Sequence, residues 1–235
     1  MSILTDTLAK GALALGVTLS PAALRSFQAY YDFLSEKNQV MDLTSVAGEA
    51  ETANRHFLDS LALLRLGGFQ GGRLIDVGSG AGFPGLPLRL AVPDMSLTLL
   101  DAQAKRVDFL KSLCARLEVR ADCLHARAEE QALKPGYRDG FDFAVSRAVA
   151  RLNLLTELCL PFVKPGGRFL AMKGRDSDEE LREAAQAVKL LGGRLLEPVD
   201  YELDGVPRRI VVVEKIRETP SGYPRRFAKI QKNPL

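Results

Sequence analysis

Apolar and polar positions follow two different rhythms along the chain, and the change between them comes near residue 70. Ser20 followed by Pro21 is typical of a helix start, and apolar residues then recur at helical spacing. A second helix is predicted over residues 51–66. We therefore expect residues 1–66 to form a helical extension that packs on a larger domain.

From Arg73 onward, short β-rich runs alternate with amphipathic stretches, which is typical of a parallel sheet built from βαβ units. Ser177 and Glu180 have the spacing of a capping box at the start of the last helix. Five strands are predicted here, at residues 73–77, 97–100, 122–125, 141–146 and 168–172. Four helices are predicted between and after them, at residues 84–91, 104–117, 151–160 and 177–190.

Two further strands close the pattern. They cover residues 199–203 and 209–214 and flank Asp204-Gly205, a pair typical of a β-hairpin turn. Five alternating units closed by an antiparallel hairpin predict an α/β fold of the Rossmann-like class I methyltransferase type, with a seven-stranded, mostly parallel sheet and helices on both faces. We expect the methyltransferase domain to cover residues 67–216.

Composition narrows the protein class. With 46% hydrophobic and 26% charged residues, the chain is typical of an ordinary globular protein. The apolar stretch 11–19 is too short for a membrane span, and no secretory signal is visible at the start. Cys114, Cys123 and Cys159 form no C-x-x-C pair, so we expect no disulfide framework and no metal site. A cytoplasmic protein without membrane association fits these features best. No exposed heptad or long strand edge suggests an obligate dimer, so we expect a monomer.

The net charge of +3 is small, but it is unevenly distributed. Residues 217–235 contain five basic side chains and one acidic side chain, so the rest of the chain carries −1. Apolar side chains interleave these charges, as they do in surfaces that contact a nucleic-acid backbone and stack on its bases. A solvated chain end is the alternative, and the pattern leaves both open.

A glycine-rich turn carries the strongest chemical signal. Residues 76–85 read Asp-Val-Gly-Ser-Gly-Ala-Gly-Phe-Pro-Gly between a predicted strand and a predicted helix. Gly78, Gly80 and Gly82 allow a sharp turn with no side chain where a ligand must approach. The same turn could hold the pyrophosphate of NAD, because Gly80, Gly82 and Gly85 also match G-x-G-x-x-G.

Asp76 distinguishes these two ligands. A carboxylate just before the first glycine would repel a pyrophosphate but attract the ammonium group of an amino acid, and S-adenosylmethionine carries that group. The pattern therefore favours S-adenosylmethionine over NAD.

Further candidates follow the ends of the next strands. Asp101 follows the second strand and is placed to accept hydrogen bonds from ribose hydroxyls, although a helix-capping role is equally compatible. Ala128 and Glu129 follow the third strand, where an adenine ring would lie, and Glu129 could instead be a solvated residue at a helix start. Arg147 ends the fourth strand and faces the ligand crevice, with a surface ion pair as the alternative.

A second polar cluster lies in the predicted extension. Arg55 and Asp59 stand four residues apart on one helix, so a local ion pair would explain them. His56, one of two histidines in the chain, invites a catalytic role, but a single helical histidine is more often structural. We treat His56 and Arg147 as residues that organise the site.

Taken together, these motifs resemble the bacterial 16S rRNA guanine-N7 methyltransferase family, also called glucose-inhibited division protein B. The resemblance runs from Asp42-Leu43-Thr44 to the C-terminus. Its other segments are residues 55–60, 76–85, 101–105, 145–148, 173–174, 223–226 and 233–235.

The resemblance implies an enzyme that transfers the methyl group of S-adenosylmethionine to N7 of a guanine in 16S rRNA or the small ribosomal subunit. It implies a cofactor pocket lined by Gly78, Phe83, Asp101, Ala102, Gln103, Ala128, Glu129 and Arg147. Because N7 carries a free lone pair at neutral pH, no general base is required. Phosphate contacts are expected from Lys173, Arg225, Arg226 and Lys229. An NAD-dependent oxidoreductase and a non-catalytic ribosome-assembly protein remain as alternatives.

Overall fold

Three helical segments precede the sheet in the computed structural model, which describes residues 2–147 and 150–235. The first two are α1 (Ile3–Ala14) and α2 (Pro21–Met41). The third is a continuous helical path from α3 (Glu49–Thr52) through a π-helical turn (Ala53–Leu58) to α4 (Asp59–Leu61) and a 3₁₀ turn (Ala62–Leu66). The predicted helices after Pro21 and over residues 51–66 are therefore present.

Helix α1 was not predicted. Its side chains Leu4, Leu8 and Ala12 recur every four residues and are fully buried, and Ser2 caps its first turn through a hydrogen bond from the Thr5 amide. This stripe is only three residues long, so it is easily missed beside the longer pattern of α2. The described part of the chain contains no helix that is both long and apolar enough to cross a membrane.

The sheet has eight strands in the described residues, one more than predicted. The strands are β1 (Arg73–Val77), β2 (Ser96–Asp101), β3 (Asp122–His125), β4 (Phe141–Arg147), β5 (Val163–Gly174), β6 (Gly193–Leu195), β7 (Val199–Leu203) and β8 (Val206–Lys215). Their order is β3-β2-β1-β4-β5-β8-β6, with β7 paired to β8. Strands β1 to β5 are parallel, whereas β6 and β7 run antiparallel to β8, and β8 to β5.

The additional strand, β6, is three residues long and pairs with the end of β8. Asp204 and Gly205 both have positive φ and form the predicted hairpin turn between β7 and β8. Strands β2 and β3 lie on one side of β1, and β4 lies on its other side, so the strand order reverses at β1. Parallel sheets bind ligands at such a reversal, at the carboxyl ends of the strands.

Helices cover both faces of the sheet. They are α5 (Gly85–Ala91), α6 (Ala104–Arg116), α7 (Ala128–Gln131), α8 (Leu152–Cys159), α9 (Asp178–Leu190) and α10 (Phe227–Lys232). The predicted capping box of α9 is wrong, because the Ser177 hydroxyl is buried without a partner and Glu180 instead accepts hydrogen bonds from the Leu152 amide and from Lys173. The capping motif in the sequence is thus overridden by a tertiary contact.

Two apolar clusters lie on opposite sides of the sheet. The first joins side chains of α1 and α2, such as Leu4 and Phe27, to those of α5 and α6, such as Leu86 and Phe109. The second contains α8 and α9 together with Ile230 of the C-terminal segment. The predicted divisions at residues 66 and 216 therefore separate segments that share a continuous core with the sheet.

Candidate functional site

The glycine-rich turn connects β1 to α5 at the carboxyl end of the sheet. The amides of Gly78 and Ser79 both donate to the carbonyl of Leu100, which holds the turn against the neighbouring strand β2. Gly82 has a φ of 102°, and a Cβ there would lie 2.6 Å from the Tyr30 hydroxyl. Only glycine meets both conditions, since an L side chain is strained at this φ and would also collide.

Asp101 at the end of β2 closes the other side of the turn. Its Oδ2 accepts a hydrogen bond of 2.9 Å from the Gly80 amide, and its Oδ1 accepts one of 2.9 Å from the Gln103 amide. The carboxylate thus braces the loop and the start of α6, as the capping alternative expected. Each oxygen retains lone pairs for a further donor such as a ribose hydroxyl.

Asp76 lies beneath the turn and is fully buried. Its Oδ2 accepts a hydrogen bond of 2.8 Å from the Gly85 amide, whereas its Oδ1 has no partner. Burial raises the pKa of Asp76 to about 7, although the Gly85 hydrogen bond and Arg147 act in the opposite direction. An unpaired buried oxygen costs stability, so this carboxyl is available to a donor or cation that reaches it.

A cavity of about 460 Å³ opens beside these residues. Its lining includes eight predicted site residues: His56, Gly78, Gly80, Phe83, Asp101, Ala102, Gln103 and Arg147. Five lining residues were not predicted: Leu43, Thr44, Ser79, Ala81 and Arg106. The motif Asp42-Leu43-Thr44 offered a signal for two of them, because it belongs to the family resemblance.

Four predicted cofactor residues lie outside this lining. Asp76 accepts from the Gly85 amide, and Gly82 belongs to the turn and faces the Tyr30 hydroxyl. Ala128 and Glu129 begin α7 after β3, where Glu129 is buried and forms an ion pair of 2.7 Å with Arg127. The pair accounts for the charge of Glu129 without a ligand.

Arg147 joins the fourth strand to the helical extension. Its guanidinium donates to the Arg55 carbonyl and contacts His56 Nδ1 at 3.2 Å, and it lies 4.9 Å from the centre of the Phe83 ring. It also pairs with Asp59 at 3.3 Å. Arg147 therefore faces the crevice, as predicted, and is held there by a carboxylate.

The expected ion pair between Arg55 and Asp59 is absent from the described contacts. The π-helical turn over Ala53–Leu58 breaks the four-residue spacing, so Asp59 is buried and faces the sheet, whereas Arg55 is exposed. Asp59 accepts a hydrogen bond of 2.8 Å from the Tyr201 hydroxyl and lies 3.6 Å from Arg208. The four-residue spacing between Arg55 and Asp59 therefore does not indicate a contact between them.

His56 is buried between Thr44, Phe83 and Arg147. Its Nε2 lies 2.7 Å from the Thr44 hydroxyl, and its ring stacks on Phe83 with centroids 4.4 Å apart. Burial, followed by the charge of Arg147, lowers the pKa of His56 to about 4. The ring is neutral near pH 7. Its Nδ1 lies within hydrogen-bond distance of the Arg147 guanidinium, which can only donate, and of the Arg55 carbonyl at 3.1 Å, which can only accept.

The four predicted phosphate contacts divide into two groups. Lys173 pairs with Glu180 at 2.7 Å and donates to the Ala150 carbonyl, and Arg225 pairs with the buried Glu157. Both cations already have partners, which conflicts with the expectation that they contact RNA. Arg226 and Lys229 are exposed near the start of α10.

The apolar residues of the tail also differ from the expectation. Tyr223 and Phe227 pack against the second apolar cluster, and Ile230 is fully buried within it. They anchor the tail and leave few rings free for stacking on bases. Ala148, part of the predicted segment after the fourth strand, lies outside the described residues.

Comparison with known proteins adds a family to this geometry. The family described as GidB, rRNA small subunit methyltransferase G, matches residues 23–202. The chain belongs to this family. The GidB family member is 44% identical over 236 residues to the ribosomal RNA small subunit methyltransferase G of Alkaliphilus oremlandii, covering 99% of both chains. Its identity to the protein of the same name from Pelotomaculum thermopropionicum is 42%, covering 100% of both chains.

Solved structures show the same fold at low sequence identity. A methyltransferase from Pyrococcus furiosus has a TM-score of 0.55 at 12% identity, covering 80% of this chain and 97% of that chain. A SAM-dependent methyltransferase from Aquifex aeolicus has a TM-score of 0.51 at 20% identity, covering 69% and 92%. The predicted Rossmann-like methyltransferase fold is confirmed.

Membership confirms the predicted enzyme class as well. The GidB family member is an S-adenosylmethionine-dependent methyltransferase, and its substrate is small-subunit rRNA. The alternatives of an NAD-dependent oxidoreductase and a non-catalytic assembly protein are not retained.

Proposed function

We propose that this GidB family member transfers the methyl group of S-adenosylmethionine to N7 of a guanine in 16S rRNA at the cavity between the glycine-rich turn and Arg147. The supporting observation is the contact between Gly80 and Asp101, which joins the turn to the end of β2 at the mouth of the cavity. We further propose that the enzyme acts in the cytoplasm as a monomer.

The residues of the cavity fit S-adenosylmethionine. Asp101 offers carboxylate oxygens for ribose hydroxyls, and Gly78 and Gly80 present backbone to the ligand without side chains. Asp76 does not line the cavity, but its Oδ1 has no partner, and above its pKa of about 7 its carboxylate would attract a cationic ligand. When bound, S-adenosylmethionine supplies a methyl group on a sulfonium centre.

The polar residues of the cavity suit a reaction that needs no proton transfer. Guanine N7 attacks with a lone pair that carries no proton at neutral pH. His56 has both ring nitrogens engaged, by Thr44 and by Arg147, and its lowered pKa makes it a poor proton acceptor. The chain therefore contributes by positioning the reactants, an effect that can supply roughly 7 to 11 kcal/mol.

Arg147 would oppose the reaction if its charge were uncompensated, because methylation leaves a positive charge on the guanine. The Asp59 carboxylate lies 3.3 Å from the guanidinium, and the guanidinium lies over the Phe83 ring, 4.9 Å from its centre. We propose that this pairing holds Arg147 as a positioning residue for His56 and Phe83. Arg226 and Lys229 are proposed to contact RNA phosphates, and these contacts orient RNA without reading its sequence.

The test is methylation of purified small ribosomal subunits with methyl-labelled S-adenosylmethionine, followed by digestion of the RNA to nucleosides. Label in 7-methylguanosine is expected. Asp101→Ala should abolish this label. The control Asp94→Ala removes an exposed carboxylate two residues before β2 begins and should leave the label unchanged. Label in another nucleoside, or equal activity of both variants, would refute the proposal.

A further inference from the structure

A groove between α2 and α6 lies beside the cofactor cavity and has no role in the mechanism above. Its volume is about 720 Å³. Leu43, Gln103 and Arg106 line both the groove and the cavity, so the two adjoin each other. We call it the α2–α6 groove; its lining also includes Phe33, Lys37, Val40, Asp42, Lys105 and Asp108.

The α2–α6 groove combines exposed apolar surface with positive charge. Val40 is 81% exposed, the highest exposure among the large hydrophobic side chains that are exposed in the described residues. The ammonium of Lys37 pairs at 2.7 Å with Glu36, and both side chains are exposed, so this pair contributes little free energy and a phosphate can replace it, unlike the buried partner of Arg225. The ammonium of Lys37 also lies 5.2 Å from the centre of the Phe33 ring, and that ring stacks on Phe109. Lys105 is exposed on the first turn of α6. Proteins that bind single-stranded nucleic acid use this combination, with cations for the backbone and apolar or aromatic surfaces for the bases.

The acidic residues of the groove are compatible with the same ligand. Asp42 and Asp108 reduce the formal charge of the lining to +1, given Lys37, Lys105 and Arg106. Carboxylates can accept hydrogen bonds from base amino groups and from 2′-hydroxyls, which are groups that RNA offers in single-stranded segments. A lipid surface or a purely phosphate-based ligand would gain nothing from them.

The position of the α2–α6 groove beside the cofactor cavity indicates which ligand binds in it. A guanine that enters the cofactor cavity brings its neighbouring nucleotides to the rim of that cavity. At Arg106 the rim continues into the α2–α6 groove, since this side chain lines both spaces and lies 3.7 Å from Asp101. A polynucleotide chain can fill both spaces at once.

We propose that the α2–α6 groove binds the unpaired rRNA nucleotides next to the target guanine. Lys37 and Lys105 contact their phosphates, and Val40 packs against a base. This proposal rests on the proposed function, because it requires that the target base occupies the cofactor cavity.

The charge part is tested with the double variant Lys37→Ala, Lys105→Ala. Its matched control is Arg182→Ala, Lys189→Ala, which removes two exposed cations from α9, a helix of the other apolar cluster. Affinity for naked 16S rRNA is measured at several salt concentrations. Each single-strand phosphate contact contributes about 0.7 to the slope of log affinity against log salt, so the groove variant should lose about 1.4. Equal slopes in the two double variants would overturn the proposal.

The proposed contact between Val40 and a base is tested with Val40→Glu, which places a carboxylate where the base is expected. Its control is Leu13→Glu, on α1, at a side chain that is 68% exposed. The KM for small ribosomal subunits should rise at least tenfold in Val40→Glu and stay near the wild-type value in Leu13→Glu. Equal KM values would contradict the base contact.

Two further results separate the possible failures. The Kd for S-adenosylmethionine, measured by calorimetry, should be unchanged in all groove variants, since none of their positions lines the cofactor cavity. A defect with subunits but not with naked 16S rRNA would assign the groove to a ribosomal protein and overturn the proposal. Failure of the wild-type enzyme to label RNA would instead refute the proposed function.

Discussion

The hydroxyl of Tyr30 in α2 donates a hydrogen bond of 2.6 Å to the carbonyl of Ala81 in the glycine-rich turn. Tyr30 is fully buried, and its ring stacks on Phe83 with centroids 5.3 Å apart. Burial raises the pKa of Tyr30 well above its ordinary value, so the hydroxyl keeps its proton and remains a donor. The helical extension thus fixes a turn that belongs to the sheet domain.

Tyr30→Phe should loosen this turn without removing the stacked ring. The Ala81 carbonyl loses its donor in a buried position, at a cost of about 1 to 3 kcal/mol in the free energy of unfolding. We also expect the Kd for S-adenosylmethionine to rise several-fold, because Ala81 lines the cavity. Urea denaturation and calorimetry measure the two effects.

The neighbouring Tyr31→Phe is the control for this substitution. Tyr31 is only partly buried, and its ring is not stacked on the turn. It should leave the Kd for S-adenosylmethionine unchanged. A Tyr30→Phe enzyme with wild-type affinity for S-adenosylmethionine would show that the turn does not depend on α2.

The sequence predicted the part of the site that depends on sheet topology. Periodicity placed β1 and β3 at the bounds that the structure has, because short apolar runs between turns and helices are distinctive. In a parallel sheet the carboxyl ends of adjacent strands lie at the same edge, so the turn after β1 and Asp101 at the end of β2 had to be neighbours. The contact between Gly80 and Asp101 follows from that rule.

The remaining parts depend on contacts that no local pattern encodes. Tyr30 and Thr44 reach the site only because α2 and the following loop pack over the turn. The π-helical turn redirects Asp59 toward Arg147 and Tyr201, whereas spacing alone paired it with Arg55. A helical sequence does not reveal one additional residue in a turn, so the wrong partner was expected.

Asp76→Asn should stabilise the protein without ligand at alkaline pH. The pKa of Asp76 in the folded state, about 7, lies above the ordinary 3.8, so the folded state holds a proton that the unfolded state releases between these values. Stability from this group is therefore full below pH 4 and declines as pH rises to 7. At pH 8 the substitution should stabilise by up to roughly 4 kcal/mol.

The same substitution should weaken the binding of S-adenosylmethionine at least tenfold, because the negative charge beneath the turn is lost. Unfolding by urea at pH 5 and pH 8 and calorimetry at pH 8 measure the two effects. Stabilisation with unchanged affinity would remove Asp76 from the cofactor site and leave it a purely structural role.

His56 should make the free energy of unfolding fall as the pH is lowered below 6.5. Its folded pKa of about 4 lies below the ordinary 6.5, so the unfolded state binds the proton first as pH falls. Stability from the neutral ring is present above pH 6.5 and is lost as pH falls to 4, by roughly 3 kcal/mol in total. His56→Asn should lack this loss over the same range, as measured by urea denaturation at a series of pH values. His125→Asn, which replaces the other histidine, should retain it; equal profiles in the two variants would contradict the assignment.

Arg225 and Arg226 are adjacent, and the structure predicts opposite effects for them. Arg225 donates to the carboxylate of Glu157, through Nε at 2.8 Å and through its backbone amide at 2.9 Å, and Glu157 is fully buried. Arg225→Ala leaves a buried charge without its partner, which costs about 3 to 5 kcal/mol. Combining it with Glu157→Met should recover most of that loss in urea denaturation, since the unpaired charge is then absent.

Arg226→Ala should change stability by less than about 0.5 kcal/mol but reduce the salt dependence of rRNA binding. An unaltered salt slope in Arg226→Ala would exclude Arg226 as an RNA contact. A small stability loss in Arg225→Ala would show that the buried pair does not stabilise the fold.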